Sequence, residues 1–140
     1  MPRRVRTATD PGEWLRRAAS NLAKAGDASG VPEVLYEDLC FDAQQAAEKA
    51  LKGVLVLKSV DFPKVHSISH LIHLLESNGV KVPSKVKKAS ILTEYAVSSR
   101  YPGIIEDVTR PEYLKAIRLA KDVVQWAAGM IEVKKDSHGR

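Results

Sequence analysis

Apolar residues recur every three or four positions along most of the chain, and nowhere do they alternate over the length of a strand. Trp14, Leu15, Ala18, Ala19, Leu22 and Ala25 make a first helical stripe, with Arg16, Arg17 and Lys24 on the outside. Asp10 ahead of Pro11 supplies an N-cap and a proline suited to the first turn, and Gly26, Gly30 and Pro32 close the segment. Residues 33–58 carry the longest pattern: Leu35, Leu39, Ala43, Ala46, Ala50, Val54 and Leu57. At 1.5 Å per residue this predicts a rod about 39 Å long. Ala43, Ala46, Ala47 and Ala50 keep its middle thin enough for a neighbour to approach closely. Ser67 caps a third helix through Ile68, Leu71, Ile72, Leu74 and Leu75, stopped by Asn78-Gly79. Ser84 opens a fourth through Val86, Ala89, Leu92, Tyr95 and Ala96, expected to end near Arg100 because Pro102-Gly103 follow. Thr109-Arg110-Pro111-Glu112 has the spacing of a capping box, and the last helix runs through Leu114, Ile117, Ala120, Val124, Ala127 and Ile131. The pattern predicts an all-α protein: a five-helix up-and-down antiparallel bundle over residues 10–133. A basic arm (residues 1–9) and a polar tail (residues 134–140) flank it.

Composition narrows the class. With 44% hydrophobic and 28% charged residues the 140-residue chain is an ordinary globular domain, long enough to build a core without disulfide or metal. Its one cysteine, Cys40, excludes an intrachain disulfide and any multi-cysteine metal site. Its apolar helical setting predicts a packed, inert thiol, and a single thiol suits a cytoplasmic location. No apolar run has the length of a membrane span or the character of a signal peptide. The charge of +5, from 22 basic and 17 acidic residues, permits an anionic partner.

Phosphate-loop, dinucleotide, zinc-protease and nucleophile-elbow motifs are absent. His66, His70 and His73 fall near one helical face, but the Glu-x-x-His pairs of bundle metal sites are missing and His66 precedes the expected cap. No metal or cofactor is therefore expected. Gln44, Glu48 and Lys52 form a polar line, with Gln45 and Lys49 beside it. The spacing of Glu48 and Lys52 makes a favourable ion pair on what reads as a solvated helix face. Lys81, Lys85, Lys87 and Lys88 can meet phosphates, although no aromatic residue is interleaved to stack a base. Arg100, ahead of Tyr101 and Pro102, can fork onto a phosphate or carboxylate, or cap the carbonyls of its own helix.

Taken together, the run Ala43-Gln44-Gln45-Ala46-Ala47-Glu48-Lys49-Ala50-Leu51-Lys52, His66 ahead of a leucine-rich helix, and Tyr95 before Arg100-Tyr101-Pro102 resemble the HEPN domain family. The resemblance spans about residues 10–132 and implies the same five-helix bundle. It also implies a homodimer and a minimal nucleotidyltransferase encoded nearby as partner, in a pair of toxin–antitoxin type. Ribonuclease branches of the family carry an arginine followed, after four to six residues, by a histidine. Here the residues so placed after Arg100 are Ile105, Glu106 and Asp107.

The leading expectation is a non-catalytic module that binds a nucleotide or a nucleotidyltransferase through Gln44, Gln45, Glu48, Lys49, Lys52, His66, Arg100 and Tyr101. Lys49, Lys52 and Arg100 would neutralise phosphates, Tyr101 would offer a ring or hydroxyl, and the glutamines would donate amide hydrogen bonds. The enzymatic alternative is a metal-independent ribonuclease toxin using Arg100 with His66. A third reading is a structural subunit whose basic surface docks an acidic protein. The apolar Phe41 and Val56, off the main stripe of the long helix, are the expected dimer contacts.

Overall fold

Each helix turns its small and aliphatic residues toward one shared core, as the periodicity requires. The computed structural model describes residues 7–27, 30–96 and 107–138, with side chains as far as residue 132. It contains α1 (Pro11–Asp27), α2 (Tyr36–Leu57), α3 (Ile68–Ser77), a short α4 (Ser84–Lys87) continued by a 3₁₀ segment (Lys88–Tyr95), and α5 (Arg110–His138). The fold is a five-helix bundle with no strand among the described residues. The central element is α2, which packs most heavily on α1 and α5. Ala43, Ala46, Ala47 and Ala50 have no exposed surface, so the thin middle of α2 is where its neighbours close in. A Cβ on Gly53 would stand 3.0 Å from Trp14 Cβ and 3.3 Å from Ile131 Cδ1, so α1 approaches α2 there at backbone range while α5 reaches the same spot with the tip of a side chain.

The helix ends follow the expected caps in part. Asp10 accepts from the Gly12 amide at 2.9 Å, and Ser67 accepts from the His70 amide at 3.3 Å. Gly79, at φ 83°, and Ser59, at φ 57°, end α3 and α2 in matching turns. In each, an amide reaches back five residues, Val80 to Leu75 and Val60 to Leu55. The capping box before α5 is only half formed. Thr109 Oγ1 accepts from the Glu112 amide at 3.3 Å, but the Glu112 carboxylate turns away to accept from the Tyr95 hydroxyl. The long helix begins at Tyr36, after an exposed Leu35 without a side-chain cap, while α5 continues to His138.

Two expectations need correction. The fourth element opens at Ser84 but is mostly 3₁₀ rather than α-helical. Its buried positions Val86, Ala89, Leu92 and Tyr95 are spaced by three throughout, the repeat of a 3₁₀ helix and not of an α-helix. Its expected end at Arg100 lies outside the described residues. In α5 the inward face starts at Tyr113 and Ala116, leaving Leu114 exposed. Tyr113 is drawn inward because its hydroxyl donates to the Ala25 carbonyl at 2.7 Å and its ring stacks on Tyr36 at 5.0 Å.

Candidate functional site

The polar line of α2 is not a solvated face. Gln44 is fully buried, Glu48 is 4% exposed and Lys52 8%, so the expected solvent-facing row lies inside the protein. Buried polar groups need partners, and these three supply one another. Gln44 Nε2 donates to Glu48 Oε1 at 2.9 Å and to the His66 carbonyl at 3.3 Å, while Gln44 Oε1 accepts from Gln45 Nε2 at 2.8 Å. The Lys52 ammonium donates to Glu48 Oε2 at 2.8 Å. Among the described residues no buried side-chain nitrogen or oxygen lacks a partner.

Glu48 is the hub. Its Oε1 also meets His66 Nδ1 at 3.0 Å, although the imidazole is exposed. Burial pushes the Glu48 pKa up, but hydrogen bonds from Lys52, Gln44 and His66 outweigh it and hold the carboxyl below its ordinary value. An ionised carboxylate only accepts, so His66 donates to it through Nδ1–H. Glu48 and Gln44 together fasten the connection between α2 and α3 to the side of α2.

That connection carries Phe62 and Lys64. Lys52 Nζ lies 5.6 Å from the Phe62 ring centroid, a cation–π contact, and Trp14 meets Phe62 edge-on at 5.9 Å and 77°. Trp14 is itself held by its indole N–H, which donates to the Ala8 carbonyl at 2.7 Å. Beside these rings opens a cleft of about 730 Å³ whose walls include Trp14, Phe62, Lys52, Lys64 and Asp61. The ladder therefore reaches the surface at two points, His66 and the cleft beside Lys52.

The remaining expected site residues separate. Lys49 is half-buried in the seam between α1 and α2, where it donates to Asn21 Oδ1 at 2.8 Å. Burial and the nearby charges of Arg17 and Lys24 lower its pKa, despite Glu48 and Asp42. Arg100 and Tyr101 lie outside the described residues. Trp14 and Phe62 are the cleft residues that periodicity misses. Trp14 reads only as core, and the signal for Phe62 was an aromatic ring in a connection that no helix stripe uses.

Cys40 is buried, as its position indicates. Among the described residues, no cluster of three or more histidine, cysteine or acidic side chains can hold a metal ion, and no helix is long and apolar enough to cross a membrane.

Comparison with known proteins agrees with this architecture. The crystal structure of the archaeal HEPN homologue ST0689 is similar to it, with a TM-score of 0.68 and 28% sequence identity over 87% of this chain and 98% of that one. No curated protein matches the chain. The family model of the HEPN domain matches residues 12–131, from the first turn of α1 to Ile131 in α5, and includes the whole Gln44–Glu48–Lys52 ladder. The chain belongs to the HEPN domain family.

Proposed function

We propose that this HEPN protein is a binding module for a nucleotide, seated in the cleft beside Trp14 and Phe62. The observation that carries the reading is the joining of two different chemistries at one place. Two aromatic rings supply a surface for a base, and Lys64 supplies a cation for phosphate at the mouth of the same cleft. Lys52, Glu48, Gln44 and His66 serve this reading mainly as positioning residues. They hold the connection that carries Phe62 and Lys64, so little conformational freedom is lost on binding. Arg100 and Tyr101 remain in the proposal on sequence grounds alone. Isothermal titration with each of the four ribonucleoside triphosphates tests it, with Phe62→Ala and Lys64→Glu as controls. Saturable heat that both substitutions weaken is the expected result. No heat with any nucleotide, alone or with a nucleotidyltransferase partner, would falsify the reading.

The proposal includes a minimal nucleotidyltransferase as partner in a toxin–antitoxin type of pair, a cytoplasmic location and a homodimer. Family membership supports the pairing. Phe41 and Val56, both half-buried on α2, support the dimer. Light scattering decides the assembly: a mass near twice 15.4 kDa is expected, and a stable 15.4 kDa species at all concentrations refutes it.

One observation favours a second reading, a ribonuclease using His66 with Arg100. A buried, ionised Glu48 on Nδ1 orients an exposed imidazole and frees Nε2 for proton transfer. Cleavage of labelled RNA that vanishes in His66→Ala would support it, and intact RNA would remove it.

A further inference from the structure

Where the 3₁₀ segment packs on α5, two rows of side chains face each other across a cleft of about 530 Å³. Lys85, Lys88 and Ile91 form the first row. The helix tightens to 3₁₀ at Lys88, and residues three apart in a 3₁₀ helix eclipse, so Ile91 stays in line with Lys88. A continued α-helix would carry it about 60° away. Lys115, Arg118 and Asp122 form the second row, at the spacing of one face of α5. All four cations are exposed, and none has an ion-pair partner among the described residues. Lys24, Lys52 and Lys87, by contrast, pair with Asp42, Glu48 and Glu76. Ile91 lies among these charges 48% exposed.

We propose that this cleft docks an acidic amphipathic helix of a partner protein, one that presents carboxylates three and four residues apart beside an aliphatic side chain. Four unpaired cations against one carboxylate call for an anionic occupant. Helical carboxylates at that spacing stand about 5–6 Å apart at Cβ, matching the pairs Lys85/Lys88 and Lys115/Arg118, which are themselves three residues apart. Ile91 decides between classes of polyanion. A peptide helix can cover it with a leucine, whereas a phosphate backbone has nothing aliphatic to offer. No aromatic side chain lines the cleft to stack a base. The cleft shares no residue with the one beside Trp14, so the inference stands independently of the nucleotide reading.

Fluorescence polarisation tests it on the full chain with two labelled probes. One is a helical peptide with glutamates at i, i+3, i+4 and i+7 around a leucine, and the other is a short RNA duplex. The peptide is expected to bind saturably and to weaken at least about tenfold between roughly 50 and 300 mM salt. Lys88→Glu with Arg118→Glu should weaken it about tenfold or more, and Ile91→Ser about fivefold with an unchanged salt dependence. All three positions are exposed, and circular dichroism checks that the variants keep their helix content. The inference is overturned if the peptide does not bind, if the charge variant binds it equally, if Ile91→Ser changes nothing, or if the RNA duplex binds more tightly than the peptide.

Discussion

The Nδ1 of His66 stands 3.0 Å from the Oε1 of Glu48, joining an exposed ring before α3 to a buried carboxylate in the middle of α2. The other carboxylate oxygen holds Lys52 at 2.8 Å. One side chain thus satisfies a buried ammonium and anchors the loop that shapes the neighbouring cleft.

Replacing Glu48 by Gln leaves the ammonium of the buried Lys52 side chain without its counter-charge. The expected loss is about 1–3 kcal/mol, below the full penalty of a wholly buried pair because Lys52 borders an open cleft. Replacing both residues by Met should recover part of it, since no charge is then stranded. Urea denaturation of the two variants measures the difference, and a wild-type midpoint in Glu48→Gln would refute the hub role.

Stability should form a plateau in pH. Hydrogen bonds from Arg16 hold the Glu13 carboxyl down to about 2, against the effect of burial and with help from Arg17. Glu48 is also held below its ordinary value. Their folded-state pKa values lie below the unfolded ones, so their contribution is complete above the ordinary 4.5 and is lost as pH falls below it. Tyr95 has the opposite sign. Burial and its hydrogen bond to Glu112 push the phenol up, so its contribution is complete below the ordinary 10.0 and lost as pH rises past it. Denaturation midpoints across pH should fall on both sides, and Glu13→Gln should flatten the acid limb while Tyr95→Phe flattens the alkaline one.

The two matching helix ends predict opposite responses. Ser59 holds a left-handed backbone at a steric cost that glycine does not bear. Ser59→Gly should therefore stabilise by up to about 1 kcal/mol, the steric relief being partly offset by a freer unfolded chain. Gly79→Ala should destabilise by about 1 kcal/mol, because φ 83° is a conformation alanine resists. Thermal midpoints that move in the same direction would contradict the assignment of these turns.

Gly53→Ala is expected to destabilise even though alanine is the better helix former by about 1 kcal/mol. The new methyl would meet Trp14 Cβ at 3.0 Å and the Pro11 carbonyl at 3.4 Å, atoms fixed to the backbone of α1. Overpacking of this kind costs about 1–3 kcal/mol, so the net loss should be near 1 kcal/mol. A stabilised variant would mean that α1 yields more easily than its packing indicates.

Ala43, Ala46, Ala47 and Ala50 show why the bundle was readable in advance. Their spacing needs only the 3.6-residue period, a local property of the chain, to place them on the buried face. The 3₁₀ segment was also present in the sequence, as the run Val86, Ala89, Leu92 and Tyr95, but a spacing of three fits an α-helical template closely enough to pass as one. Gln44, Glu48 and Lys52 stand out in the sequence as a polar line, yet the line lies inside the protein. Their polarity predicts solvent, and nothing local announces that the connection between α2 and α3 folds over them and supplies the His66 carbonyl and ring.

Four of the helices, most of their caps, the small-residue middle of α2 and the family are legible in the chain alone, because periodicity and capping act within a few residues. Tertiary structure alone decided that the polar line is buried, that Trp14 meets Phe62 beside Lys52, and that Lys85 and Lys88 face Lys115 and Arg118. Those relationships join segments distant in the chain. The buried polar line in particular draws its energy from desolvation and charge pairing, which exist only once packing has removed the water between the partners.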